Sequence, residues 1–167
     1  TKIPAFCLHR VEALRDVGGW DERFITSQDS DLSMRLIKEG FTLYRTPGIT
    51  VEMKRRTSLK SWYLMSHRYG FWRTKVLLKH PSRIVLREFL PLFGALFTVG
   101  MFVVNFQWGI FPLLAYTSAL LISGLYSSRK GILNLLGVPI CLLILHIGFT
   151  IGLLDGCVRK GRASRDR

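Results

Sequence analysis

Three cysteines occur in 167 residues. Cys7, Cys141 and Cys157 lie far apart with no Cys-x-x-Cys spacing, so neither a disulfide framework nor a zinc site organises the chain, and the thiols are compatible with a reducing compartment. Acidic residues are missing from 53–87, which hold ten Lys or Arg. Charge of either sign is missing from 89–126. The chain opens at Thr1 without a secretory leader pattern, which predicts a fragment or a processed product. Its length leaves room for one modest domain and an appendage.

These gaps set a basic, polar front half against an apolar back half. A net charge of +13 suits nucleic acid or an anionic membrane face. The adjoining apolar half decides for membrane lipid as a partner, and nucleic acid, which would rest on charge alone, is not expected.

What is present begins with short apolar and amphipathic segments. Residues 3–8 read as a strand with Pro4 near its start. Residues 10–17 read as a helix on the spacing of Val11, Leu14 and Val17, stopped by Gly18, with Gly19 freeing the turn that follows. Ser27 suits the N-cap of a helix whose first turn is acidic and whose apolar face is Leu32, Leu36 and Ile37, with Gly40 at its C-terminal end. Residues 41–45 alternate as a strand should, Thr46-Pro47-Gly48 is a turn, and 49–53 suit a further strand.

Residues 58–78 give a mixed basic and aromatic helix of the kind that lies at a water–lipid boundary. Phe89–Phe106, Trp108–Tyr126 and Gly131–Leu154 are apolar runs, each near the ~20 residues needed to span a bilayer. In the third, Gly148, Gly152 and Gly156 recur every four residues, a face for close helix packing. His146 lies in the same run, where an ionisable group is a functional candidate or a side chain bonded to a neighbour. Three full spans would carry the basic tail (Arg159, Lys160, Arg162, Arg165, Arg167) to the far side from a cytoplasmic front half, against the preference of positive charge for the cytoplasm. Either one run is re-entrant or that preference is violated.

Asp29 and Asp31 flank Ser30 at a helix start. A carboxylate there can serve as a general base or a metal ligand, or it can simply complement the helix dipole. Gly18-Gly19-Trp20-Asp21-Glu22, then Gln28-Asp29-Ser30-Asp31-Leu32 with Arg35 and Gly40, resembles the acceptor-side half of the family 2 glycosyltransferases, inverting enzymes of the GT-A fold. The likeness covers roughly residues 5–87. Arg55-Arg56-Thr57-Ser58-Leu59 and Arg68-Tyr69-Gly70 with Trp72-Arg73 are similar to members that build exopolysaccharides or glycosylate lipid carriers and end in membrane helices.

The resemblance implies an α/β fold, a partial GT-A-like catalytic domain over 1–53. A basic aromatic interfacial segment over 54–87, two or three transmembrane helices within 88–157 and a basic tail over 158–167 would follow it. It implies Asp29 as catalytic base. It implies acceptor contacts from Trp20, Asp21, Asp31, Arg68, Tyr69 and Trp72, and phosphate or lipid-headgroup contacts from Arg55, Arg56 and Arg73. Gln28 replaces the family's Glu, and the Gln preceding the Arg-Trp pair of processive members is His67 or has no counterpart, which weighs against a processive polymerase. The implied partners are a nucleotide-sugar donor, a lipid-linked or glycan acceptor and membrane lipid. A divalent metal (Mg or Mn) is implied for the complete enzyme, with its ligands and the donor-binding half outside this chain, so that this stretch alone would be inactive. The implied place is a prokaryotic plasma membrane, catalytic part in the cytoplasm. The competing expectation is a non-catalytic, membrane-anchored module that binds lipid or a partner; it gives no reason for the Gly-Gly-Trp-Asp-Glu turn and the acidic pair to occur together.

Overall fold

The computed structural model describes residues 7–46, 48, 50–52 and 57–160. Six α-helices follow in order: α1 (Val11–Asp16), α2 (Gln28–Lys38), α3 (Leu59–Lys79), α4 (Leu90–Val104), α5 (Phe106–Ser128) and α6 (Asn134–Val158). They fall into two compact units. The first holds the described residues up to 52, Arg68–Ile84 and 152–160; the second holds Thr57–His67 and Val85–Ile151.

In the first unit both short helices end the same way. After α1 the Gly18 amide donates to the Arg15 carbonyl and the Gly19 amide to Leu14, with Gly18 at φ +73°. After α2 the Gly40 amide donates to Ile37 and the Phe41 amide to Leu36, with Gly40 at φ +87°. This paired closure needs a left-handed residue, and glycine takes it without the strain a Cβ would bring. Ser27 does precede α2, but with φ +62° and no side-chain cap bond.

The closures fold α1 and α2 onto one small core of Ala13, Leu32 and Leu36, covered by Leu14, Val17, Phe41 and Leu43. A second core joins Phe24 and Ile25 to the α3 residues Phe71, Trp72 and Val76.

The α/β fold expected for this half is corrected here: no strand occurs among the described residues. Residues 41–46 have no regular structure, though their alternation is real. Phe41 and Leu43 pack inward while Tyr44 is 86% exposed. One-sided burial makes such a pattern, but a strand exists only where a second chain segment pairs with it. Of the other two expected strands, 3–6 and residues 49 and 53 lie outside the described residues, and 50–52 have no regular structure.

The end of α6 also belongs to the first unit. Gly156 lies so close to α3 that an added Cβ would sit 2.7 Å from the Phe71 carbonyl oxygen and 2.8 Å from Thr74 Cβ. The Thr74 hydroxyl donates to the Leu153 carbonyl at 2.9 Å, and Lys75 Nζ donates to the carbonyls of Gly156 and Arg159. A lysine there closes the last turn and suits the negative end of the helix dipole.

In the second unit α4 and α5 are separated by a single residue, Asn105, whose side chain accepts from the Gln107 amide at 2.8 Å and caps α5. They pack on each other where Gly109 admits the Phe102 ring. Gly124 of α5 meets the Leu135 carbonyl and Pro139 of α6. The start of α3 packs on α6, with Trp62 Nε1 donating to the Cys141 carbonyl at 2.9 Å and Gly148 against Tyr63 and Ser66. His146 shares a 2.9 Å hydrogen bond with the Tyr116 hydroxyl. Three helical stretches, Leu86–Val104, Phe106–Ser128 and Asn134–Val158, are long and apolar enough to cross a membrane. Their exposed faces are lined by side chains such as Phe97, Phe111 and Ile122.

Candidate functional site

The sequence places five acids between residues 12 and 29 and a sixth at 31, and the fold treats two of them unlike the rest. Asp31 sits in the first turn of α2 with its side chain wholly shielded from water. Its Oδ2 accepts from Arg35 Nε at 2.9 Å, one helical turn on. Its Oδ1 lies 2.6 Å from Lys79 Nζ and accepts from His80 Nε2 at 2.8 Å. Burial by itself would raise the Asp31 pKa; the bonds from Lys79, His80 and Arg35 outweigh it and hold the carboxyl below its usual range.

The same Lys79 ammonium reaches Asp21 Oδ2 at 2.8 Å. Asp21 is gripped from its other side by Arg23, through both carboxylate oxygens and the Arg23 amide. The Arg23 bonds are the chief reason its carboxyl lies well below the usual range, with Lys79 adding to them against the cost of burial. Lys79 also lies 5.2 Å above the Phe24 ring, and Phe24 packs on Trp72. Arg35 extends the network to the glycine turn, donating to the carbonyls of Val17 and Gly19. One ion-paired frame thus ties the turn after α1, the first turn of α2 and the end of α3.

Asp29 stands beside this frame and is unlike Asp31. It is exposed, and its Oδ1 accepts from the adjacent Ser30 amide at 2.8 Å. The α2 backbone therefore holds a solvent-facing carboxylate at the positive end of a helix, one residue pair from a carboxylate that is locked away.

The expected acceptor residues distribute unevenly. Asp21, Asp31 and Trp72 are brought together around Lys79 and Phe24. Trp20 is half-exposed and meets His9 edge-on at 5.5 Å. Tyr69 is 45% exposed. Trp72 is buried, yet its Nε1 meets no hydrogen-bond acceptor among the described residues; the same holds for Nε of Arg68, one turn earlier on α3. Arg73 is half-buried. Arg55 and Arg56 lie outside the described residues.

Sequence reasoning missed Lys79 and His80 as members of the site, since both read as part of a basic interfacial run. The available signal was the other half of the account: two buried-type acids near glycine turns require cations, and Arg35 serves only one. The divalent metal implied by the resemblance does not fit here. Among the described residues no three His, Cys, Asp or Glu gather to hold one, and Asp21 and Asp31 are already committed to cations.

Comparison with known proteins bears on what the frame serves. The chain is 29% identical over 148 residues to the succinoglycan biosynthesis protein ExoA of Rhizobium meliloti, covering 87% of this chain and 44% of that protein. It is 29% identical over 143 residues to a Methanococcus voltae dolichyl N-acetyl-alpha-D-glucosaminyl phosphate 3-beta-D-2,3-diacetamido-2,3-dideoxy-beta-D-glucuronosyltransferase, covering 84% and 42%. A Mycobacterium tuberculosis pre-mycofactocin glycosyltransferase is 36% identical over 74 residues, 44% of this chain and 16% of the relative. The chain thus spans less than half the length of the curated relatives it matches. No solved structure matches it. The sequence pattern of glycosyl transferase family group 2 matches residues 5–154, from before the glycine turn to within the last turns of α6, and the chain belongs to that family.

Proposed function

We propose that this chain is the acceptor-side and membrane part of an enzyme that transfers a sugar, with inversion, from a nucleotide-sugar to a lipid-linked or polysaccharide acceptor. The observation that carries the reading is the contrast within Gln28-Asp29-Ser30-Asp31. Asp31 is consumed by Lys79, His80 and Arg35, while Asp29 faces outward from the rigid helix start that Asp31 anchors. A base must be free to take a proton and must be held in place while doing so. Asp29 meets both needs.

In the proposed step Asp29 removes the proton of an acceptor hydroxyl as that oxygen attacks the sugar's anomeric carbon from one face. The bond to the nucleotide diphosphate breaks on the other, so the configuration inverts and the diphosphate departs with the bonding pair. Trp20 and Tyr69 offer exposed rings to the acceptor. Arg68 Nε and Trp72 Nε1, which meet no acceptor among the described residues, are the donors proposed for its oxygens, and Arg73, with Arg55 and Arg56, those for its phosphates or lipid headgroups. Asp21 and Asp31 position these groups through Lys79. Donor binding and the ligands of any divalent ion are assigned to residues outside this chain, and the reaction to the cytoplasmic side of a prokaryotic plasma membrane.

Asp29→Asn in the complete enzyme keeps size and removes the base. Transfer from a radiolabelled nucleotide-sugar to membrane lipid is expected to fall at least 100-fold, consistent with loss of a general base, with membrane insertion unchanged. Activity within a few-fold of the parent refutes the assignment.

A further inference from the structure

Three apolar helices and one basic helix cannot all be placed across a membrane, and the contacts of α3 and α6 bear on which of them do not cross. In the first unit the last turns of α6 are bonded to α3 through Thr74–Leu153 and Lys75–Gly156. Four residues beyond Lys75, Lys79 pairs with Asp21 and Asp31. The end of α6 and the acidic frame therefore lie on one side of any membrane. The chain leaves that side after Ile84 and is back on it at Leu153, which requires an even number of crossings where three candidate spans are present.

The partner of α6 bears on whether α6 crosses. In the second unit Trp62 bonds to Cys141, and Tyr63 and Ser66 touch Gly148; in the first unit Thr74 meets Leu153 and Phe71 meets Gly156. Within each unit the two helices advance in the same direction, so whatever inclination α3 has to the membrane, α6 shares. α3 carries five Lys or Arg and no acid along its 21 residues, a cost that bars it from the hydrocarbon core. Away from those contacts α6 exposes Leu136, Ile140, Leu143, Ile147 and Ile151 in the second unit and Leu154 in the first, apolar side chains that acyl chains at a membrane surface would cover.

We propose that α6 lies along the membrane surface on α3 rather than crossing it, and that α4 and α5 alone cross, as a hairpin turning at Asn105. This arrangement returns Arg129 and Lys130 to the side of the acidic frame. With Arg83 and Arg87 before α4, and Arg159 and Lys160 after α6, all the charge flanking the apolar helices then lies on one side, as the positive-inside preference requires. A three-span chain would divide it. The inference stands on helix contacts and does not depend on the catalytic reading.

The test is single-cysteine labelling of the natural, complete protein in sealed membrane vesicles of either orientation, with a membrane-impermeant maleimide. Cys7, Cys141 and Cys157 are first replaced by Ser, and any further native cysteine likewise. Lys38→Cys, on exposed α2, marks the side of the acidic frame. Lys130→Cys and Lys160→Cys are expected to label from the same face as Lys38→Cys, and Val104→Cys, beside the turn, to stay unlabelled from that face. Labelling of Lys130→Cys and Lys160→Cys from opposite faces means that α6 crosses and overturns the proposal. Labelling of Val104→Cys from the Lys38 face overturns the hairpin. Because all four positions are exposed and none belongs to the Asp31 frame, misfolding of one variant leaves the other comparisons in force.

Discussion

Asp31 has no access to water and is held by Arg35, Lys79 and His80. Removing one partner of such a group leaves the remaining charges buried and uncompensated, which costs about 3–5 kcal/mol. Asp31→Asn is expected to destabilise the first unit by roughly that amount, read as a lower unfolding midpoint in detergent. The acid response follows from the same bonds. Asp31 and Asp21 are held below their ordinary values, so the unfolded chain takes up their protons first as pH falls. Their contribution is complete above the unfolded carboxylate value of about 3.9 and is lost as pH drops from there through the lowered folded values. Thermal unfolding between pH 6 and pH 3 is expected to show this loss in the parent and a smaller one in Asp31→Asn; equal pH dependence in the two would remove Asp31 from the account. The Asp31–Arg35 pair was legible at its spacing of four. Lys79 and His80 were not, because the pairing of His80 with Asp31 spans 49 residues of sequence and no local pattern reports it.

At the scale of elements, helix periodicity was the dependable signal. The expected basic aromatic helix over 58–78 is found at Leu59–Lys79, and the three apolar runs become α4, α5 and α6 within a few residues at their ends. The glycine repeat in the last of these also carried its meaning, since Gly148 and Gly156 each meet the α3 backbone. The alternation at 41–45 misled for a physical reason. Burial of Phe41 and Leu43 on α1 and α2 produces the same period of two as a strand, and pairing is a non-local property. A large side chain at either glycine tests the packing. Gly156→Leu must displace the Phe71 carbonyl or Thr74, and overpacking of this kind costs about 1–3 kcal/mol. It is expected to lower the unfolding midpoint in detergent, whereas Gly94→Leu, where a Cβ meets nothing within 4 Å, is expected to be silent. Equal effects at the two sites would mean that the α3–α6 contact contributes nothing.

On the scale of the whole chain, the acidic frame near the start and the end of the last apolar helix are parts of one unit. No reading of the sequence in order would join them, because the link is α3: Lys79 of its last turn holds Asp21 and Asp31, and Thr74 and Lys75 hold α6. Loss of residues 152–160 should therefore be felt more than 120 residues away. Truncation after Ile151 removes Leu153, whose side chain is buried, and leaves Thr74 and Lys75 without three carbonyl acceptors. At about 1 kcal/mol for a neutral hydrogen bond and 1.5–3 for one to a charged group, the truncated protein is expected to be less stable by roughly 4 kcal/mol or more. Limited proteolysis reads the consequence where it matters. Cleavage after Arg15, Arg23 or Lys38 should quicken in the truncated form, because Phe71, Trp72 and Lys79 are no longer braced from behind. Cleavage at those sites unchanged from the parent would show that the frame stands without the last turns of α6.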